Sequence, residues 1–312
     1  TCALPIWRIP MMDVIIIGAG PAGLNAALYA ARKELSVQVV STDIGGQMLL
    51  TGEIENYLGL PHISGFELAD KMEAHAKEYP VDFVFAGVLS TEKDSAGHFL
   101  VHLDDGKVLT GRTLIVTAGK RSRTLDIPGE MEYTGRGVSY CATCDGPFYR
   151  KKDTAVVGGG DSAVQAAIEL SRLANKVYLV VRSRIRASEI IARRLEGLSN
   201  VEILLGYTPE EVKGEKKVTG LVVKDRADGV TRELSVQGVF VEAGGLPNNQ
   251  CVPADVRKNP AGEIVTDKGG CTNVAGLFAA GDVTDSPYKQ VIIAAGEGAA
   301  AALSAHEYLL RQ

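Results

Sequence analysis

Two segments of the chain share one pattern: a short run of β-branched residues, a glycine cluster, an alanine-rich helical stretch and a second β-branched run. The first begins DVIIIGAGPAG at Asp13 and has its second run at residues 37–41. The second begins TAVVGGGDSA at Thr154 and has its second run at residues 177–181. A strand that enters a helix through a tight glycine turn and returns as a parallel strand forms a nucleotide-binding unit. Because the pattern occurs twice, the sequence predicts two such units on parallel sheets.

The first glycine cluster matches the dinucleotide-binding fingerprint. In Gly18-Ala-Gly20-Pro-Ala-Gly23, the first glycine allows the tight turn and the second lets the backbone approach a pyrophosphate. The third permits close contact between helix and strand, and the helix N-terminus favours an anion. The nearest acidic residue after the next strand is Asp43. It is either the ribose partner of this site or only a turn residue.

The second cluster, Gly158-Gly-Gly160-Asp-Ser-Ala163, matches with alanine as the third small residue. Its second strand is followed by arginines, among them Arg182 and Arg186. An acidic residue at that point would hold the two ribose hydroxyls of NADH, whereas a guanidinium suits the 2′-phosphate of NADPH. The sequence therefore favours NADPH, and the alternative is a solvated basic loop.

The order of the elements indicates that the second unit is inserted into the first domain. From residue 277 the chain again shows the order of elements seen in the first unit: a short strand, then Gly281-Asp282, then a helical pattern over about Val291–Leu310. We therefore predict an α/β fold of two Rossmann-like dinucleotide-binding domains. The predicted ranges are 12–120 with 249–312 for the discontinuous domain, 121–248 for the inserted domain, and 1–11 for a non-native or disordered extension.

A Cys-x-x-Cys, Cys141-Ala-Thr-Cys144, is followed directly by Asp145. Half a zinc site would need two more ligands with metal-like spacing, which the other cysteines and the scattered histidines do not offer. A pair of buried structural thiols leaves the adjoining acid without a role. A redox-active dithiol fits best, because the spacing permits a small disulfide loop and Asp145 can move a proton as a thiolate forms or departs. Beside two dinucleotide sites, the pair points to a flavin that converts hydride into thiol electrons.

Charge and cysteine usage exclude other classes of protein. The net charge is −5, so the chain has no general attraction for nucleic acid. The longest uncharged run, residues 14–31, is broken by glycines and a proline and does not resemble a membrane span. Five scattered cysteines are not a disulfide scaffold, and the expected location is the cytoplasm.

At these residues the chain resembles the low-molecular-weight thioredoxin reductases, including the related C-terminal part of the alkyl hydroperoxide reductase flavoprotein subunit. The resemblance spans nearly everything from residue 12 to residue 311. The motifs that carry it are Gly18-Ala-Gly-Pro-Ala-Gly23, Gly45-Gly46-Gln47, Glu55-Asn56-Tyr57, Thr117-Ala118-Gly119, Cys141-Ala-Thr-Cys144-Asp145, Gly158-Gly-Gly-Asp-Ser-Ala163, Gly281-Asp282-Val283 and Tyr288-Lys289-Gln290.

The resemblance implies FAD in the discontinuous domain and a pyridine nucleotide in the inserted domain. From the motifs and the resemblance together, the residues expected at FAD are Gly18, Gly20, Ala22, Gly23, Asp43, Gly45, Gly46, Gln47, Asn56, Ala118, Gly119, Asp282, Lys289 and Gln290. Those expected at NADPH are Gly158, Gly160, Asp161, Ser162, Ala163, Arg182 and Arg186. The arginine stretch departs from the family's His-Arg-Arg pattern, which leaves NADH possible as the coenzyme.

The resemblance also implies how the dithiol works. Cys144 is the flavin-facing sulfur, and Cys141 attacks the disulfide of a protein substrate. The inserted domain rotates as a body about hinges near residues 120–123 and 244–249. The expected protein is thus a homodimeric thioredoxin-disulfide reductase that moves electrons from NAD(P)H through FAD to thioredoxin or a glutaredoxin-like dithiol protein. Two alternatives stay open: a reductase that feeds a peroxiredoxin system through a separate dithiol protein, and a flavin-binding redox sensor without turnover.

Overall fold

A computed structural model of the protein describes residues 11–50, 53–195 and 197–312. In chain order its strands and α-helices are β1 (Met12–Ala19), α1 (Pro21–Ala31), β2 (Val37–Ile44), α2 (Gly65–Lys77), β3 (Val81–Phe85), β4 (Val88–Lys93), β5 (Phe99–Leu103), β6 (Val108–Val116), β7 (Lys120–Ser122), β8 (Val138–Ser139), α3 (Ala142–Asp145), β9 (Asp153–Val157), α4 (Asp161–Ser171), β10 (Lys176–Val181), α5 (Glu189–Ala192), β11 (Val201–Leu205), β12 (Tyr207–Gly214), β13 (Val218–Asp225), β14 (Thr231–Ser235), β15 (Gly238–Val241), β16 (Gly245–Pro247), β17 (Leu277–Ala279) and α6 (Val291–Leu310). The expected N-terminal extension lies outside the described residues except for Met11.

The chain forms two compact units. The first contains the described residues up to Leu49 together with Gly65–Arg121 and Leu246–Gln312. The second contains Leu50–Ser64 and Ser122–Gly245. The short segment Leu50–Ser64 therefore groups with the second unit, whereas the sequence pattern assigns it to the first domain.

The first unit is built on a seven-stranded sheet. Its order is β3-β2-β1-β6-β5-β4, with β17 paired to β6 as well. β5 pairs antiparallel with the first half of β6, and β17 pairs parallel with the second half. Strands β3, β2, β1 and β6 are parallel to each other, so their carboxyl ends meet at one edge, where the first glycine turn lies.

Alternating residues of β1 supply two cores, as a strand covered on both faces requires. Val14 and Ile16 pack with the alanine-rich faces of α1 and α6. Ile15 and Ile17 pack on the other face against Phe99 of β5 and neighbouring apolar residues. Burial on both faces of the strand explains why the sequence of β1 is an unbroken run of apolar residues.

The second unit contains a parallel five-stranded sheet of order β11-β10-β9-β15-β8 and a separate antiparallel sheet of β12, β13 and β14. Val156 of β9 packs with α4, and its neighbours Ala155 and Val157 pack with the antiparallel sheet. The predicted α/β fold with two parallel-sheet, Rossmann-like units is thus confirmed. None of the helices in the described part of the chain is long and apolar enough to cross a bilayer.

Candidate redox and dinucleotide sites

The turn between β1 and α1 is closed by backbone contacts that leave no room for a side chain at two of its glycines. Gly18 has a φ of +104°, and a Cβ there would lie 2.5 Å from the carbonyl oxygen of Thr117. A Cβ on Gly23 would lie 1.8 Å from the carbonyl oxygen of Gly18, so α1 sits directly on the turn. At Gly20, the N-cap of α1, a Cβ would meet nothing within 4 Å. The helix therefore begins at an open position suited to an anion.

The end of β6 supports this turn through residues that the sequence motifs place beside FAD. The hydroxyl of Thr117 lies 2.9 Å from the carbonyl oxygens of both Ile17 and Gly18. Ala118 and Gly119 follow, and their carbonyl oxygens accept hydrogen bonds from the side chain and the backbone N–H of Asn248, at 2.9 and 3.0 Å. The sequence analysis placed Asn248 only within the expected hinge at residues 244–249. Its contacts are with residues about 130 positions away, which no local pattern reveals.

The turn after β2 brings Gly45 and Gly46 beside the first glycine turn. The Gly45 N–H donates to the Ala19 carbonyl oxygen at 2.9 Å, and a Cβ on Gly46 would approach only the Cα of Gly20, at 3.7 Å. Asp43 accepts a hydrogen bond from the Gly46 N–H at 2.9 Å, which is the contact expected of a turn residue. Its role at a ribose stays a prediction.

Gln47 and Asn56, two further residues expected at FAD, lie in different units. The side-chain amide of Gln47 donates to the Lys120 carbonyl oxygen, which ties the turn after β2 to the start of β7. Asn56 belongs to Leu50–Ser64, the segment that groups with the second unit.

A cluster of charges surrounds the short 3-10 turn Gly281–Val283. Burial raises the pKa of Asp282, and the ammonium groups of Lys120 and Lys289 oppose that shift. Lys120 Nζ lies 4.0 Å from the Asp282 carboxylate. Lys289 Nζ is held by the Glu263 carboxylate at 3.0 Å and by the Thr284 carbonyl oxygen at 2.5 Å. Lys289 thus braces the backbone around Asp282.

Helix α6 joins this turn to α1. Gln290 is its N-cap residue, so the open helix N-terminus begins at Val291. Further along α6, Glu297 accepts a hydrogen bond from the Gly281 N–H at 2.9 Å. Asn25 of α1 donates to the Ala295 carbonyl oxygen at 2.6 Å. Hydrogen bonds therefore join α6 both to α1 and to the Gly281–Val283 turn.

The second unit carries the dithiol. Cys141 and Cys144 form a disulfide, with their Cα atoms 5.3 Å apart. Cys141 is the N-cap of α3, and its sulfur accepts a hydrogen bond from the Cys144 N–H at 3.2 Å. A hydrogen bond to sulfur stabilises a thiolate there, which favours Cys141 as the attacking sulfur.

Asp145 is largely buried next to the disulfide. Burial raises its pKa from the usual value of an aspartate carboxyl, and the hydroxyl of Ser139 opposes the shift. The nearby Tyr149 has its pKa raised to about 12 by burial and by the charge of Asp145. A carboxyl with a raised pKa holds and releases a proton nearer to neutral pH, as proton transfer to or from a thiol requires.

The second glycine motif lies between β9 and α4. A Cβ on Gly158 would lie 2.3 Å from the Glu242 carbonyl oxygen, whereas at Gly160, the N-cap of α4, it would meet nothing within 4 Å. Asp161 accepts a hydrogen bond from the Ser188 N–H at 2.7 Å. Ser162 is exposed and Ala163 is fully buried. This turn repeats the open helix start of the first.

Exposed arginines follow β10 at the same edge of the sheet. The side chains of Arg182 and Arg186 are exposed, and the Arg186 N–H donates to the Gly159 carbonyl oxygen at 2.6 Å. Arg226 reaches them from the end of β13, and its guanidinium donates to the Arg182 carbonyl oxygen at 3.1 Å. Sequence reasoning missed Arg226, which lies 44 residues further along the chain.

Both glycine turns fit the dinucleotides that the motifs imply. In each turn, a side chain at one glycine would collide with a backbone carbonyl oxygen. The second glycine stands at the start of the following helix, where a side chain would meet nothing. The first turn adds the Asp282 cluster, which suits the polar chain of FAD, and the second adds cationic side chains for a phosphate.

The sequence profile of the pyridine nucleotide-disulphide oxidoreductases matches residues 12–298. Among curated proteins, the chain is 42% identical over 300 residues to a "NADH dehydrogenase" of Bacillus subtilis and 43% identical over 304 residues to an alkyl hydroperoxide reductase subunit of Pseudomonas aeruginosa. Each match covers 96% of this chain but only 59% and 58% of the relative. The chain thus spans less than two thirds of these relatives.

Solved structures of similar length also match. Thioredoxin reductase from Streptococcus pyogenes superposes with a TM-score of 0.93 at 38% identity, covering 98% of this chain and all of that one. Thioredoxin reductase from Giardia duodenalis gives 0.91 at 33% identity, covering 96% and 99%. The resemblance inferred from the motifs is confirmed, and the chain belongs to the pyridine nucleotide-disulphide oxidoreductase family.

Proposed function

We propose that the protein is an NAD(P)H:protein-disulfide reductase of the thioredoxin reductase type. The overall reaction is NADPH + H⁺ + protein disulfide → NADP⁺ + protein dithiol. The observation that carries the proposal is the Cys141–Cys144 disulfide beside the buried Asp145, in a unit that has its own dinucleotide turn. When bound, FAD supplies the carrier that accepts two electrons from the nicotinamide and passes them to a disulfide.

The chain's own residues perform the exchange with the substrate. In the reduced protein the Cys141 thiolate attacks a disulfide sulfur of the partner, forms a mixed disulfide and releases one partner thiolate. Cys144 gives its proton to Asp145, attacks Cys141 and displaces the second partner thiolate. The two partner thiolates take up one proton from Asp145 and one from water. Hydrogen bonding of the Cys144 N–H to Cys141 Sγ supports this division of roles.

The proposed partner is thioredoxin or a glutaredoxin-like dithiol protein. The two thioredoxin reductase structures, which match along nearly the full length of both chains, support this choice. A second candidate is a reductase that feeds a peroxiredoxin system through a separate dithiol protein. It is favoured by the sequence identity with the alkyl hydroperoxide reductase subunit. Steady-state rates with purified thioredoxin and with a peroxidase partner separate the two.

Turnover itself separates both enzymes from a flavin-binding redox sensor. Purified protein mixed with NADPH, and separately with NADH, should lose its flavin absorbance and recover it when a protein disulfide is added. Sustained NADPH consumption with that disulfide is the expected result. A single stoichiometric burst followed by no further reaction would support the sensor and contradict the proposal.

We also propose that the protein is a homodimer and is located in the cytoplasm. The native mass in solution tests whether it is a homodimer.

The arginines after β10 are proposed to select NADPH. In the double variant Arg182→Ala with Arg186→Ala, the KM for NADPH should rise about 10- to 100-fold, because charge-assisted hydrogen bonds to the 2′-phosphate are lost. The KM for NADH should change less than about threefold. Initial rates with both coenzymes measure the difference.

Arg172→Ala is the matched control for this variant. It removes an exposed arginine at the opposite end of α4, away from the glycine turn, and should leave both KM values unchanged. Equal increases of KM for NADPH and NADH in the double variant would refute the assignment.

A further inference from the structure

Ser139, two residues before the first redox cysteine, is a buried polar residue. It ends β8, an edge strand whose residues pair in parallel with Val239 and Phe240 of β15, and only 5% of its surface is exposed. Its hydroxyl oxygen accepts a hydrogen bond from the Cys141 N–H at 3.1 Å and lies 3.3 Å from the Cys141 carbonyl oxygen. A buried hydroxyl is costly unless it is bonded, so these contacts hold it in place.

The same hydroxyl reaches the acid of the dithiol site. Ser139 also acts on the Asp145 carboxyl, since its hydroxyl opposes the effect of burial on the pKa of that group. The hydroxyl has one proton, which it can donate either towards this carboxylate or to the Cys141 carbonyl oxygen, while its oxygen accepts from the Cys141 N–H. One hydroxyl therefore bonds the backbone of Cys141 and acts on the acid at the other end of α3.

The other charged groups around α3 act at different points. On the 3-10 turn that follows α3, the charge of Asp145 helps to raise the pKa of Tyr149, and the Lys152 ammonium lies 5.3 Å from the centre of the Tyr149 ring. On α4, the Glu169 carboxylate accepts from the hydroxyl of Thr143 at 3.2 Å. Ser139 differs from these groups because it bonds the backbone of a redox cysteine and also lowers the pKa of the acid.

We propose that Ser139 is a positioning residue for thiol–disulfide exchange, whose hydroxyl keeps Cys141 and the Asp145 carboxylate in place while the Cys141–Cys144 bond is open. The inference rests on the exchange chemistry of the proposed function. Helix α3 has only four residues, so opening the disulfide removes the main covalent tie across the turn. Ser139 is held by its pairing on strand β8, so its position does not depend on the Cys141–Cys144 bond.

The exchange that Ser139 supports needs no reductant other than the Cys141/Cys144 dithiol, which supplies both electrons. In the dithiol form, Cys141 thiolate and Cys144 thiol react with one disulfide of another molecule. Two S–S bond changes occur: the substrate disulfide is reduced to two thiols, and Cys141–Cys144 is oxidised back to the disulfide. The Cys144 proton passes to Asp145, which must be ionised to accept it, and from there to one substrate thiolate, while water protonates the other.

The test is a single-turnover exchange with a small aromatic disulfide, using holoprotein whose dithiol was first reduced by dithiothreitol and then freed of it. In Ser139→Ala the exchange rate at neutral pH should fall about tenfold. The acid limb of the pH profile should move upward by about one pH unit, because a carboxylate that loses a hydrogen bond ionises less readily. Ser139→Thr keeps the hydroxyl and should restore the profile of the unmodified protein.

Thr154→Val is the matched control. Thr154 is a fully buried hydroxyl of β9 in the same unit, so its removal tests the general cost of losing a buried hydroxyl. Its pH profile should coincide with that of the unmodified protein. A Ser139→Ala profile that also coincides would overturn the inference, whereas the proposed function fails separately if the unmodified protein does not turn over with NADPH and a protein disulfide.

A second design separates an effect on Asp145 from general damage to the fold, which would appear in any background. In an Asp145→Asn background there is no carboxylate to position, so adding Ser139→Ala should produce no further shift of the acid limb. A further shift in that background would show that Ser139 acts independently of Asp145 and would contradict the proposal.

Discussion

A Cys141→Ser variant should lose reduction of protein disulfides by about a thousandfold or more, equivalent to about 4 kcal/mol in the activation barrier. A serine hydroxyl has no thiolate to offer and cannot form the mixed disulfide. Oxidation of NAD(P)H by an artificial electron acceptor should continue, because it needs the dinucleotide turns and not the dithiol. Parallel assays with a protein disulfide and with a dye acceptor measure the two activities.

The companion variant Cys144→Ser distinguishes the two sulfurs. With Cys141 retained and its resolving partner gone, the reduced protein should stay joined to its substrate as a mixed disulfide, visible by mass spectrometry. Cys271→Ser is the control for replacing a cysteine, since Cys271 is a free, partly exposed thiol of the first unit, and it should leave both activities unchanged. If the adduct forms in Cys141→Ser instead, the roles of Cys141 and Cys144 are reversed.

The geometry of the two glycine turns could be predicted from sequence because each turn is local. At Gly18 and Gly23 the backbone conformation and the helix–strand contact arise within a single short motif, and the flanking strand and helix have their own periodicity. The same applies to α6, whose bounds in the structure, Val291–Leu310, are those that the sequence pattern predicts. Local geometry of this kind can be inferred directly from the spacing of residues in the sequence.

The residues that brace these turns could not be predicted in this way, because their partners are distant in sequence. Tyr140 is an example, since the sequence leaves its role open. In the structure its hydroxyl donates to the Glu130 carboxylate at 2.9 Å, and Glu130 is only 1% exposed. Glu130 also accepts hydrogen bonds from the backbone N–H groups of Leu125 and Asp126. This buried carboxylate thus joins the residue before Cys141 to the segment just after the crossover between units.

Asn248 and Arg226 could not be predicted for the same reason, since each lies far in sequence from the residue that it bonds. Asn248 and Arg226 each bond a carbonyl oxygen of a residue that the motifs had identified, Ala118 in one case and Arg182 in the other. Neither occurs in a recognisable spacing with its partner. Polar residues that bond the backbone of a motif are therefore found only when the fold brings the segments together.

The contact between α1 and α6 is close enough that one methyl group should disrupt the first unit, which we propose binds FAD. A Cβ on Gly298 would lie 2.0 Å from the carbonyl oxygen of Ala22, and that carbonyl belongs to backbone that cannot move without displacing the glycine turn before it. Gly298→Ala should therefore destabilise the unit by about 3 kcal/mol, at the upper end of what overpacking costs. Thermal release of FAD, followed by its fluorescence, should then begin several degrees lower.

Gly296→Ala, two residues earlier on the same helix, provides the matched control, and it should change the stability of the unit in the opposite direction. Nothing lies within 4 Å of a Cβ at Gly296, which is an exposed residue in the interior of α6. Alanine there should stabilise the helix by about 0.5–1 kcal/mol, because glycine loses more backbone entropy on folding. Since helix propensity favours alanine equally at both positions, the difference between the two variants isolates the steric contact with Ala22. A Gly298→Ala protein that releases FAD at the same temperature as Gly296→Ala would mean that α6 can move away from α1 without loss, and the close packing would then have no part in holding the flavin.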